Sequence, residues 1–144
     1  MARYTHTIDK KGRVIVPARL RENLDGVLFV TLSLDDNYLS AYTPEQFNSI
    51  REQLSALSGT DPEVRLLRRA IIGEAIECSF DSQGRISLGE NLLKWIDVKP
   101  GEEICFIDMY DKLDICSKEF YEKSLEEIGS LSDLDLTRFD VQGL

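Results

Sequence analysis

Twice in this chain a carboxylate stands four residues ahead of a guanidinium, with a glycine just before the guanidinium: Asp9-Lys10-Lys11-Gly12-Arg13 and Asp81-Ser82-Gln83-Gly84-Arg85. Glycine supplies the positive φ that a tight hairpin needs, and a short Asp side chain accepts from backbone N–H groups inside such a turn. Arg at the rim of the turn offers a planar fork of donors that fits guanine O6 and N7 or a phosphate, whereas Lys10 and Lys11 act as point charges. The same Arg13 can also pair with Asp9 and stiffen the turn, and the two roles are compatible. A repeated turn of this kind points to repeated contact with a repeated partner more than to one catalytic centre.

The elements around the turns repeat as well. Val14-Ile15-Val16 after the first and Ile86-Ser87-Leu88 after the second alternate as strands do, with Val14, Val16, Ile86 and Leu88 inward and Arg13, Ile15 and Arg85 outward. Pro17 suits the start of a short helix, Ala18 to Leu24, that carries Arg19 and Arg21; Gly89 and Glu90-Asn91 hold the matching places in the second copy. Asp25-Gly26 and Pro100-Gly101 each open an apolar run, Val27 to Leu34 and Ile104 to Met109, and polar turns follow at Asp36-Asn37-Tyr38 and Tyr110-Asp111-Lys112. Thr43-Pro44-Glu45-Gln46 reads as a capping box ahead of Phe47, Ile50, Leu54 and Leu57, and Ser117 opens the corresponding helix, about Lys118 to Ile128, closed by Gly129. Between the copies a helix from Asp61-Pro62-Glu63 to Gly73 bears Arg65, Arg68 and Arg69, read as a solvated face or subunit contact ahead of a DNA contact.

These boundaries give a first repeat over 1–57, a linking helix over 58–75, a second repeat over 76–129 and an acidic, partly ordered tail over 130–144. At 144 residues the two units can bury a shared core, with about 68–70% of the unfolded chain's surface removed from water.

The formal charge of −9 argues against nucleic acid, but its distribution does not. Met1 to Leu24 holds six basic residues and two acids, whereas Glu102 to Leu144 holds four basic residues and twelve acids. Screening confines exposed charges to about 8–10 Å, so a basic patch can attract phosphate while the rest of the molecule repels it. Cys78, Cys105 and Cys116 form no C-x-x-C pair, and His6 is the only histidine, so no metal or cofactor is expected. The cysteines read as small core residues, with Cys105 and Cys116 able to face each other across the second hairpin. The odd count and the lack of a signal-like or long apolar stretch fit a reducing cytoplasm. Nothing resembles a P-loop or a serine-hydrolase elbow, and an enzyme is not expected.

The run from Asp9 to Arg21, with Asp36-Asn37-Tyr38-Leu39, Arg65-Leu66-Leu67-Arg68-Arg69 and Asp81 to Arg85, resembles the MraZ family of bacterial transcriptional regulators over roughly Arg3 to Leu125. The resemblance implies an α+β, mainly β fold: two tandem swapped-hairpin units forming an intramolecular double-ψ or swapped-hairpin β-barrel with peripheral helices, as in AbrB, SpoVT and MazE-type regulators. It implies a ring-shaped homo-oligomer in the cytoplasm, associated with the nucleoid and not with a membrane. The partner is double-stranded DNA carrying tandem short repeats, in the promoter of a cell-division and cell-wall gene cluster that includes its own gene, and the usual effect is repression. Candidate DNA-binding residues are Arg13, Arg85, Lys10, Lys11, Arg21, Arg19 and Arg3, with Asp9, Gly12, Asp81 and Gly84 shaping the turns. Gly89, where the family has a second Pro, and the thinner basic set after it set the second turn apart. The alternative is an oligomeric protein-interaction scaffold that does not touch DNA.

Overall fold

The computed structural model describes residues 3–22 and 26–144, without the side chains of Arg19 and Leu20; Leu24 and Asp25 lie outside the described residues. Its elements follow the repeat. The first copy supplies β1 (Arg3–Thr7), β2 (Arg13–Ile15), α1 (Ala18–Arg21), β3 (Val27–Leu32), β4 (Leu39–Tyr42) and α2 (Pro44–Ala56). After α3 (Pro62–Arg68), the second copy supplies β5 (Ile76–Ser79), β6 (Arg85–Ser87), α4 (Gly89–Trp95), β7 (Glu103–Asp108), β8 (Leu113–Ser117) and α5 (Lys118–Ile128).

Pairing crosses between the copies. One antiparallel sheet runs β1-β7-β8-β4-β3-β5, and a second ladder joins β2 to β6. The first strand of each copy thus lies on the long strand of the other: β1 on β7, with Thr5 opposite Cys105, and β5 on β3, with Cys78 opposite Leu28. The expected closed barrel is not formed by hydrogen bonds among the described residues, because β1 and β5 end the large sheet and β2 and β6 pair apart from it. The fold is α+β and mainly strand, with inward residues of both copies merged in one core. Val14, Val16, Ile86 and Leu88 are buried there with Leu28, Val30, Ile104, Phe106 and Ile115, while Ile15 is exposed, as the period of two requires.

The helix signals act as read. Gln46 N–H donates to Thr43 Oγ1 and Thr43 N–H donates to Gln46 Oε1, a complete capping box, and Ser117 Oγ accepts from Phe120 N–H. Several boundaries shift. Pro17 stands at the N-cap of α1, which ends at Arg21 with Glu22 as its C-cap, short of the expected Leu24. The apolar run from Val27 leaves the sheet after Leu32, and Leu34 is exposed in the turn. The linking helix changes to a π-helical turn over Arg69–Gly73, whose Ile71 carbonyl accepts from the buried Thr31 hydroxyl. Beyond α5, two 3-10 turns, Leu131–Asp133 and Leu136–Arg138, lie in an exposed tail.

The arginines of α3 are not a simple solvated face. Arg68 donates from Nε to the Leu54 carbonyl at 2.9 Å and from Nη2 to the carbonyls of Ser55 and Leu57, closing the C-terminal end of α2. Arg65 donates to the carbonyls of Gly59 and Thr60. Both satisfy backbone oxygens that a helix end and its loop would otherwise leave to water. Cys105 and Cys116 do face each other in the β7–β8 register, and all three cysteines are buried free thiols. Burial pushes the Cys78 and Cys116 thiols up to about 12.

Candidate nucleic-acid interface

Each Asp-x-x-Gly-Arg segment is a closed turn built from its own sequence. In the first, Asp9 N–H donates to the Arg13 carbonyl at 2.9 Å and Gly12 N–H to the Asp9 carbonyl at 3.1 Å. Gly12 has φ +76°, the left-handed region where glycine is free of strain. Asp9 Oδ1 accepts from the backbone N–H of Lys11 and of Arg13, each at 2.9 Å, and Oδ2 accepts from Arg13 Nε at 2.8 Å. The second turn repeats this atom for atom. Asp81 Oδ1 accepts from Gln83 and Arg85 N–H at 2.9 Å, Oδ2 accepts from Arg85 Nε at 2.7 Å, and Gly84 has φ +75°.

These bonds fix the electrostatics. The Arg13 backbone N–H, with the Arg13 side chain and the Lys11 N–H, holds the Asp9 carboxyl below the ordinary carboxylate range. Asp81 is lowered in the same way, first by the Arg85 backbone N–H. Each aspartate is therefore a fixed anion that grips the neck of its guanidinium. Because Nε carries that bond, the outer face of the fork is left for another acceptor, and no acceptor for Arg13 Nη1 or Nη2 stands among the described residues.

The ladder between β2 and β6 brings the two turns together. Ile15 lies opposite Arg85 and Arg13 opposite Ser87. Beyond the ladder Val16 N–H donates to the Gly84 carbonyl at 3.1 Å and Leu88 N–H to the Gly12 carbonyl at 3.3 Å. Arg85 Nη1 stands 3.7 Å from Asp9 Oδ2, so the second guanidinium bridges both carboxylates while Arg13 pairs with its own alone. Both arginines keep about a quarter to a third of their side-chain surface, 32% for Arg13 and 23% for Arg85.

The other expected residues are distributed unevenly. Lys10 and Lys11 are exposed on the first turn. Arg21 belongs to the cluster by another route: its Nε donates to the Val16 carbonyl at 2.8 Å, and its guanidinium covers Gly84 of the second turn. Arg3 lies at the far end of β1, roughly 13 Å along the strand from Thr7, and its guanidinium sits 5.1 Å over the Tyr121 ring. The Arg19 side chain is outside the described residues. The cross-repeat contact of Arg85 with Asp9 escapes a reading of the sequence, as does the approach of Leu93 to Gly12, where a Cβ would stand 3.5 Å from Leu93 Cδ1. The signal for the second was available, since the 72-residue offset that maps Arg13 onto Arg85 maps Arg21 onto Leu93. No group of three or more His, Cys, Asp or Glu among the described residues is placed to hold a metal ion, and no described helix is long and apolar enough to cross a membrane.

Fold and site together define a tandem-repeat α+β protein whose two copies share one core and present paired Asp-x-x-Gly-Arg turns side by side. A family model described as "MraZ protein, putative antitoxin-like" matches this chain twice, over residues 1–70 and 71–141. Similar proteins include one named transcriptional regulator MraZ from Thermoanaerobacter sp. (strain X514), 37% identical over 144 residues, covering 94% of this chain and 99% of that protein. Proteins of the same name from Caldanaerobacter subterraneus subsp. tengcongensis and Thermoanaerobacter pseudethanolicus are each 36% identical over 140 residues, covering 92% of this chain and 96% of theirs. This chain belongs to the MraZ family.

Proposed function

We propose that this chain is a transcriptional regulator that binds duplex DNA through the joined turns, with Arg13 and Arg85 meeting base edges or phosphates and Lys10, Lys11 and Arg21 meeting phosphates. The observation that carries the reading is the Nε anchor: two aspartates hold two adjacent guanidinium groups by Nε, which leaves both Nη groups of Arg13 for a partner, while Arg85 Nη1 also stands near Asp9. The names of the relatives support the regulatory part. On this reading the crossed pairing is a swapped-hairpin arrangement within one chain, the protein acts in the cytoplasm at the nucleoid, and it represses a cell-division and cell-wall cluster that includes its own gene.

One pair of turns neutralises few phosphates, and the molecule as a whole is acidic. A ring of copies on tandem short repeats turns weak contacts into avidity, by a factor of about 10² to 10⁴. Exposed apolar side chains, Leu66 and Trp95 among them, support self-association. The test is titration of the full chain, at several salt concentrations, against the duplex upstream of its own gene. A ladder of complexes is expected, with affinity falling linearly in log salt and lost in Arg13→Ala with Arg85→Ala. Duplex binding that the double substitution leaves unchanged would instead favour a protein-interaction scaffold.

A further inference from the structure

The two turns differ in their own charge. The first carries Lys10 and Lys11 beside Asp9 and Arg13, whereas the second carries Ser82 and Gln83 at those places and nets to zero from Asp81 and Arg85. They differ in the opposite sense in what covers them. Gly12 is half-buried and meets Leu93, an apolar side chain from the second repeat. Gly84 is buried, and a Cβ built on it would collide with the Arg21 guanidinium, which comes from the first repeat. Arg21 and Leu93 hold equivalent places at the 72-residue offset.

Arg21 is fixed there by Val16. That residue donates its N–H to the Gly84 carbonyl and accepts Arg21 Nε on its own carbonyl, so strand, turn and guanidinium form one unit. Nε uses one of the five guanidinium donors. The remaining four, on Nη1 and Nη2, have no acceptor among the described residues, and Nη1 lies against Gly84, the residue that precedes Arg85.

From this we propose that Arg21 and the Gly84-Arg85 turn form a composite anion site for a DNA backbone phosphate, in which the first repeat supplies the cation that the second repeat lacks. The turn with lysines has an apolar cover, and the turn without them has a cationic one. The two halves thereby become comparable phosphate-binding surfaces, although only one retains a basic turn sequence. This inference rests on the DNA-binding reading.

The test uses the full chain with a fluorescent duplex from upstream of its own gene and a scrambled duplex of equal length, each titrated over a range of salt. Arg21→Leu places over Gly84 the side chain that Leu93 already places over Gly12. Because it also takes the Nε donor from the Val16 carbonyl, we expect it to unfold at a lower temperature than wild type and, at temperatures where it stays folded, to bind both duplexes more weakly by the same factor and to lower the slope of log affinity against log salt by about one. Arg21→Gln, which keeps a donor without the charge, should match Arg21→Leu, and Arg21→Lys should restore most of the slope. Wild-type slopes in Arg21→Leu and Arg21→Gln, while Arg13→Ala still loses binding, would overturn the composite site and leave the regulator reading standing. A loss of affinity with no change in slope would also overturn it, because Arg21 would then only position the turn. Failure of the wild-type chain on both duplexes would remove both.

Discussion

At the scale of single residues, the site depends on two carboxylates that ionise more readily in the folded chain than in the unfolded one. A lowered acid stabilises the fold above its unfolded value, here about 3.8, and that contribution is lost as pH falls through the lower folded value. Thermal unfolding followed by circular dichroism should therefore be flat in this respect from neutral pH down to about 5, then decline. Asp9→Asn and Asp81→Asn should lower the neutral plateau and flatten the acid limb. Asp114 has the opposite sign: burial raises its carboxyl, and the ion pair with Lys112, whose Nζ is 3.6 Å from Oδ1, offsets that only in part. Ionised Asp114 therefore costs stability near neutrality, and Asp114→Asn should raise the unfolding temperature at pH 7 but not at pH 3. Much of this scale was legible in the sequence, because Asp-x-x-Gly-Arg is a local device whose bonds span four residues. The Arg85–Asp9 bridge was not, because it joins residues 76 positions apart through a pairing that no local pattern specifies.

At the scale of elements, helix caps and the β7–β8 hairpin were readable and the strand pairing between the copies was not. Thr43 to Gln46 and Ser117 to Phe120 announce their caps within four residues. The alternation in β2 and β6 tells which side chains point inward without telling which strand lies alongside. The arginines of α3 show the same limit, since their spacing reads as an exposed stripe while their partners are backbone carbonyls at the end of α2 and in the loop that follows it. Removing the Arg68 fork leaves the carbonyls of Leu54, Ser55 and Leu57 to water, so Arg68→Ala should destabilise the fold by about 1.5–3 kcal/mol, the range for hydrogen bonds to a charged group. Chemical denaturation would measure that loss. The same variant at temperatures where it stays folded should keep the wild-type slope of duplex affinity against salt, because Nε and Nη2 are already engaged at the end of α2.

For the whole molecule, the decisive fact is that neither repeat can complete itself. Among the described residues β1 pairs only with β7, β5 only with β3, and β2 and β6 only with each other. A fragment ending near residue 75 would keep β3 and β4 as a hairpin but leave β1 and β2 with no partner, and its inward Val14 and Val16 would lose Ile86 and Leu88 across the core. Such hairpins are marginal alone in water. Expressed separately, fragments 1–75 and 76–144 should each lack the cooperative unfolding of the intact chain. Mixed at equal concentration they should recover it, because every strand then finds its partner without the linking peptide. The sole tryptophan, Trp95, lies in the second fragment at the end of α4, whose Leu92 and Leu93 pack into the shared core. Its emission should shift when the unlabelled first fragment is added, with a one-to-one endpoint. A first fragment that folds as a monomer, or a Trp95 signal indifferent to its addition, would show that the repeats are independent domains, and the crossed strand order could not then be what holds the two turns together.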